Sequence, residues 1–184
     1  MIFSIFLIYN FSNKGEFIEL VKNRYSCKNF SDKKVEDEKL DFILEAGRFA
    51  PTAKNNQIQR IYVCRSDESL LKVDDLTPCR YKAPTVLLVA FDESEAFVYP
   101  GGKYNSGIED ASIVASHMIL AAASLGVDSC WVNFFDPDKV REKFSLPENE
   151  KVIAMIDLGY ANDGVKALEN HFKRKELDET VKFI

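Results

Sequence analysis

The chain predicts a mixed helix-and-sheet domain, and three features carry that expectation. Residues 85–91 contain the run VLLVAF, apolar on both faces, which is the pattern of a strand buried in the middle of a sheet. Residues 108–125 are apolar almost all round and stop at Gly126, the pattern of a buried helix with a glycine C-cap. Shorter stretches of helical and strand periodicity flank these two, with no internal repeat and no low-complexity tract.

Taken in order, residues 1–9 read MIFSIFLIY. The run is too short to span a bilayer and lacks the positive region and small-residue cleavage site of a secretory signal. Residues 1–14 are read as an N-terminal apolar arm of unknown role: an added strand, a packing arm and an over-extended gene start all fit. Residues 15–184 are read as a single domain, since a chain of 184 residues suffices for one real core. A short helix is expected over 16–23, where Phe17, Leu20 and Val21 share a face, followed by an irregular polar stretch to Phe30. A second helix spans 36–49, with Leu40, Ile43, Leu44 and Gly47 on one side and acidic residues in its first turn. Pro51 stops it. Residues 58–65 alternate as a strand, 67–73 suit a short helix, and 92–107 read as a loop. After the long helix come a strand over 129–134, a helix over 137–144 capped by Asp136 with Pro at its start, and a strand over 151–158. The small residues of the long helix suit close approach of another helix, within the chain or from a second subunit.

Apolar residues at 46% and charged residues at 29% are ordinary for a soluble globular protein. A net charge of −5 gives no reason to expect nucleic acid or an acidic membrane as partner. Cys27, Cys64, Cys79 and Cys130 form no C-x-x-C, and His117 and His171 lie far apart, so no zinc centre is expected. Reduced thiols in a cytoplasmic protein are the reading.

No nucleophile elbow, P-loop, H-E-x-x-H or G-x-G-x-x-G is present, so an enzyme of this sequence would leave the hard step to a cofactor. Three polar clusters remain. Arg24-Tyr25-Ser26-Cys27-Lys28 would, if extended, aim Arg24, Ser26 and Lys28 at one ligand; a solvated charge run is the plainer alternative. Ala50 to Gln57 reads A-P-T-A-K-N-N-Q and concentrates side chains that both donate and accept hydrogen bonds, as suits the edge of a planar heteroaromatic; a helix stop and a polar turn is the alternative. Lys173-Arg174-Lys175 suits a phosphate monoester or, equally, solvent.

R-x-S-x-K before N-F-S-D, then K-L-D-F-I-L-E-A-G-R-F-A-P-T-A-K-N-N-Q, resembles the opening of the FMN-dependent nitroreductase family. The likeness continues through Ala83-Pro84 and VLLVAF, returns in D-A-S-I-V-A-S-H-M-I-L-A-A-A-S-L-G-V-D-S-C-W-V and L-P-E-N-E-K-V-I-A-M-I-D-L-G-Y, and closes with R-K-E-L-D-E-T-V. It covers about residues 16–183, its motifs in the same order. The resemblance implies an α+β fold, a mainly antiparallel sheet wrapped by helices, in an intertwined homodimer. Each FMN would lie in a groove between subunits, with the C-terminal tail on the partner. It places Arg24, Tyr25, Ser26 and Lys28 on the FMN, Arg24 towards the phosphate or ribityl side and Lys28 at the N1/C2-carbonyl edge. It brings Pro51, Thr52, Ala53, Asn55 and Gln57 from the other subunit, aligns Trp131, Val132 and Asn133 with the strand end passing the ring, and assigns Arg174, with Lys175, to the phosphate. The implied activity is FMN-dependent NAD(P)H oxidation, with ping-pong hydride transfer to flavin N5 and then to a nitroaromatic, quinone or related acceptor. A flavin-binding carrier or sensor without turnover is the alternative. Ala53 stands where relatives carry a second serine, Ile58-Gln59 where they carry Pro-Trp, and Phe134 near a usual glycine. No polar contact is recognisable in 74–82, and a short lid is expected within 97–106.

Overall fold

The computed structural model describes residues 14–184. The expected apolar arm therefore lies outside the described residues, apart from Lys14, which opens the first helix. The elements run α1 (Lys14–Asn23), α2 (Asp37–Arg48), β1 (Gln59–Cys64), α3 (Asp67–Leu76), β2 (Thr85–Asp92), α4 (Gly107–Ser124), β3 (Asp128–Val132), α5 (Pro137–Phe144), β4 (Glu150–Gly159) and α6 (Leu177–Thr180). Four strands form one antiparallel sheet in the order β1-β2-β4-β3. This is the α+β architecture with a mainly antiparallel sheet that the family resemblance implies.

Both faces of the sheet are covered. On one, Leu40 and Ile43 of α2 and Ala111, Val114, Met118 and Ala122 of α4 pack against Leu87, Val89, Ala154 and Ile156. On the other, Cys27 and Phe30 join Val73 of α3 and Val140 of α5 over Val86, Leu88 and Cys130. Every residue of β2 is buried, as its two-sided apolar run demands. Between Val89 and Ala90 the register with β4 shifts: Val89 faces Ala154 and Ala90 faces Val152, so Ile153 is a bulged extra residue.

Local signals act as expected at most boundaries. Asp136 caps α5 by accepting from the Asp138 N–H at 3.1 Å, with Pro137 in the first turn. Ser66 caps α3, accepting from Ser69 N–H at 3.2 Å. Glu36 does not cap α2; its carboxylate instead accepts from Tyr160 and pairs with Lys33.

Three expectations change. The segment 92–107 is ordered rather than an open loop: a 3₁₀ turn spans Glu93–Glu95, and Val98 bridges Asn105 to make a narrow hairpin. That hairpin is closed by Ser106 N–H to Phe97 O at 2.9 Å and Tyr99 N–H to Tyr104 O at 3.0 Å. Helix α4 is not covered all round, because Ile108, Ile113, Ser116 and His117 are exposed within the chain. Nor is the face of α1 covered: Phe17 and Val21 are exposed and Leu20 is half-buried.

Two glycines mark where α4 is pressed hardest. A Cβ at Gly47 would lie 2.8 Å from Met118 Cγ, and one at Gly107 would lie 2.1 Å from Phe91 Cε2. Met118 has a flexible end, whereas the Phe91 ring is locked between sheet and helix. Gly107→Ala is therefore expected to lower unfolding stability by about 1–3 kcal/mol, the usual cost of overpacking. Urea denaturation of the two proteins measures it, and an unchanged midpoint would contradict the packing described.

Candidate functional site

A cavity of about 350 Å³ opens where four segments meet. The connection after α1 supplies Tyr25, Ser26 and Lys28; the turn before β2 supplies Cys79 and Tyr81. The end of β3 supplies Cys130, Trp131, Val132, Asn133 and Phe134, and the tail supplies Leu168, Asn170 and His171.

Backbone pairing explains the convergence. Ser26 forms a parallel bridge with Ser129, and Cys27 N–H donates to Ser129 O at 2.9 Å. Cys27 is thereby buried, and its neighbours Ser26 and Lys28 face the cavity. Arg24 does not join them. Its N–H still bonds Leu20 O at 3.0 Å, as in the preceding helix, so the alternation of an extended chain starts one residue later. Arg24 instead lines a second cavity of about 140 Å³ beside Asp128, and Tyr25 borders both. Tyr81 sits in the left-handed region (φ 51°) followed by Lys82 (φ 67°), a sharp turn that puts its ring under Lys28, whose Nζ is 5.9 Å from the ring centroid. The Tyr81 carbonyl accepts from Phe30 N–H at 3.1 Å.

At the end of β3 the Trp131 indole N–H donates to Asn133 Oδ1, and Asn133 Nδ2 donates to the carbonyl of bulged Ile153 at 2.7 Å. Both ends of the Asn133 amide are thus engaged within the chain. The strand end offers the cavity its backbone and the Trp131 and Phe134 side chains.

The Tyr25 and Tyr81 hydroxyls and the Cys130 thiol are held in their neutral forms. Burial and the neighbouring Asp128 push the Tyr25 hydroxyl up to about 12, and a hydrogen bond with Cys79 together with burial does the same for Tyr81. Burial likewise raises the Cys130 thiol to about 12. All four cysteines are free. A thiol held like that of Cys130 makes a poor nucleophile, so an aromatic-walled cavity with the hydroxyls of Tyr25, Ser26 and Tyr81 and the Lys28 ammonium suits a planar, electron-rich ligand that brings its own chemistry.

The remaining expected site residues lie elsewhere in the chain. Pro51, Asn55 and Gln57 are exposed, Thr52 and Ala53 are half-buried, and none of the five lines the cavity. Gln57 N–H donates to Thr52 Oγ1 at 3.1 Å, and Gln57 Nε2 donates to Asn55 O at 3.2 Å. Lys54, Asn55 and Gln57 all have positive φ, between 52° and 58°. Arg174 and Lys175 are exposed, and the Arg174 guanidinium donates to the His171 and Lys173 carbonyls. His171, three residues earlier, does reach the cavity and donates through Nε2 to Lys22 O at 2.9 Å. Sequence reasoning passed over it for want of a carboxylate partner. It also passed over Cys79 and Tyr81, whose signal was their place just before Ala83-Pro84.

The Nitroreductase family profile matches residues 21–79 and 76–160. A relative from Methanothermobacter thermautotrophicus, provisionally named NADH dehydrogenase/NAD(P)H nitroreductase, is 30% identical over 165 residues, covering 85% of this chain and 84% of its own. A solved nitroreductase family protein from Clostridium difficile 630 is 40% identical with a TM-score of 0.85, over 90% of this chain and 96% of that one. Another from Clostridium difficile R20291, described as an FMN-dependent nitroreductase, is 29% identical with a TM-score of 0.71, over 90% of this chain and 98% of its own. The architecture is thus that of the nitroreductase fold. The chain belongs to the nitroreductase family.

Asp157 was not foreseen as a special position. It lies on β4 opposite Cys130, is 1% exposed, and neither carboxylate oxygen has a hydrogen-bond partner among the described residues. Burial raises it to about 9, with nearby Arg80 opposing; the Arg80 guanidinium is itself held by Asp74 at 2.6 and 2.7 Å. The folded chain keeps this proton up to about pH 9, whereas an unfolded chain releases it at about pH 4. Between those values folding takes up a proton, so rising pH disfavours the folded state across that window and no further above it. Asp157→Asn removes the effect. Its stability advantage over the parent is expected to grow by about 1 kcal/mol per pH unit between pH 5 and 8, read from urea midpoints; parallel pH profiles would refute a neutral buried acid.

Proposed function

We propose that this chain is an FMN-dependent NAD(P)H oxidoreductase that works as a homodimer. The observation that carries the reading is the cavity at the end of β3, where the Ser26 hydroxyl and the Lys28 ammonium meet aromatic walls. Family membership and the FMN-dependent relative support it. The cavity's size and donor set suit the ring of FMN. The chemistry that bound FMN supplies is storage of a hydride equivalent between NADH or NADPH and an acceptor such as a nitroaromatic or quinone.

In this reading Ser26 and Tyr25 hydrogen-bond the ring edge, and Lys28 sets a positive charge beside its electron-rich side, raising its affinity for electrons. The backbone of Trp131, Val132 and Asn133 borders the ring, and Trp131 shields it from water. Arg24, Arg174 and Lys175 hold the phosphate, the last two after the exposed tail has settled on a second subunit. The loop carrying Pro51, Thr52, Ala53, Asn55 and Gln57 faces the cavity of a second copy. Exposed Phe42, Phe49, Ile108, Ile113 and Leu177 give a dimer its apolar contact. One cavity for both substrates gives ping-pong order, the nicotinamide leaving before the acceptor enters. A cytoplasmic location keeps the four free thiols reduced, and no helix among the described residues is long and apolar enough to cross a membrane. The non-turnover carrier, suggested by Ile58-Gln59, is the second reading; Ile58 is buried in the core and Gln59, half-buried, opens β1.

Purified protein incubated with FMN and desalted is expected to keep a flavin absorbance that NADH or NADPH bleaches without oxygen and a quinone restores. A colourless protein overturns the reading. Arg174→Ala is expected to weaken FMN binding about tenfold or more through loss of a charge-assisted contact, measured by fluorescence quenching. Lys28→Ala is expected to lower the flavin midpoint potential more than it weakens binding; equal potentials would reject its role.

A further inference from the structure

The first turn of α4 holds a carboxylate that the proposed chemistry does not use. Asp110 is 3% exposed, and its two oxygens serve two different segments. Oδ1 accepts from the Ala53 N–H at 2.9 Å, and Oδ2 accepts from the Ser106 hydroxyl at 2.8 Å. The Ser106 oxygen in turn accepts from the Phe97 N–H at 3.2 Å. An unbroken hydrogen-bond chain thus runs from the polar loop at 53–57, through Asp110 and Ser106, to the start of the hairpin at 97–106. Two further contacts lie beside it: Lys54 Nζ is 4.5 Å from the centroid of the Phe97 ring, and Asn56 Nδ2 donates to Glu95 O at 3.0 Å.

The loop needs such support. Lys54, Asn55 and Gln57 hold a left-handed backbone that non-glycine residues adopt at a cost, so the local sequence alone does not choose this shape. The bond to Asp110 grips the residue immediately before the first of them. Placed at the start of α4, the carboxylate also lies where the helix dipole favours negative charge.

We propose that Asp110 is a positioning residue that joins the loop at 53–57 and the hairpin at 97–106 into one unit. The consequence for catalysis rests on the reading that the loop faces a flavin: the amides that touch the cofactor and the hairpin expected to border the acceptor then shift together. Substitutions in the hairpin that alter acceptor preference also alter flavin affinity. The coupling itself rests on the hydrogen-bond chain alone.

Residue-resolved amide exchange by NMR on the full chain tests it. Asp110→Ala is expected to speed exchange at both Ala53 and Phe97 by about tenfold or more, the scale of a lost bond to a charged group, with β2 amides unchanged. Ser106→Ala, which touches no atom of the loop, is expected to speed exchange at Ala53 as well as at Phe97. An unchanged Ala53 in Ser106→Ala, or loss at only one of the two amides in Asp110→Ala, overturns the proposal. Asp110→Asn keeps an acceptor for Ala53 and a partner for Ser106, and is expected to retain the protection. In parallel, Ser106→Ala is expected to raise both the FMN dissociation constant and the acceptor KM while leaving kcat nearly unchanged. A parent protein that takes up no FMN removes the functional reading, and the exchange measurements still decide the coupling.

Discussion

All eight residues of β2 are buried, so every backbone N–H and C=O in that strand must find its partner inside the sheet. This constraint sets β1 on one side and β4 on the other and leaves β3 at the far edge of the sheet, beyond β4. The free side of β3 then becomes the wall against which the chain after α1 can pair, as Ser26 and Cys27 do with Ser129. The cavity is a by-product of that edge: it forms where β3 runs out at Val132 and the incoming segment, the turn at Tyr81 and the tail close around its end.

What could be read from the sequence follows how local each signal is. The β2 strand, α4 and the cap at Asp136 were legible because signals along one stretch decide them, whereas the α+β, antiparallel class came through the family resemblance. Ser26, Lys28 and Trp131 were legible as a group only through the family resemblance, and they do line one cavity. Arg24 does not line the cavity with Ser26 and Lys28 because its own N–H is still bonded in the helical pattern, so the alternation of an extended strand begins after it. Cys79 and Tyr81 were missed because a left-handed turn, anchored by Phe30 some fifty residues away in sequence, decides where they point. Asp157 is one position in the strand expected over 151–158; nothing in M-I-D-L-G-Y announces that its carboxylate has no partner among the described residues.

The all-round apolar pattern of α4 teaches a related lesson. One side packs on α2 and the sheet, while Ile108 and Ile113 are left exposed among the described residues. The same holds for Phe17 on α1 and for Leu177, Phe183 and Ile184 in the tail. Composition registers how much surface is apolar, but it does not say which molecule will bury it.

The polar loop that links these themes carries a further consequence. Three of its residues, Lys54, Asn55 and Gln57, hold a backbone that glycine would adopt with less strain. Selection for thermal robustness alone would drift towards glycine there and erase the amide groups one by one. Persistence of Asn55 and Gln57 under such selection would be a record of use rather than of folding, so among variants recovered from a stability screen these positions separate chains that still work from chains that merely endure.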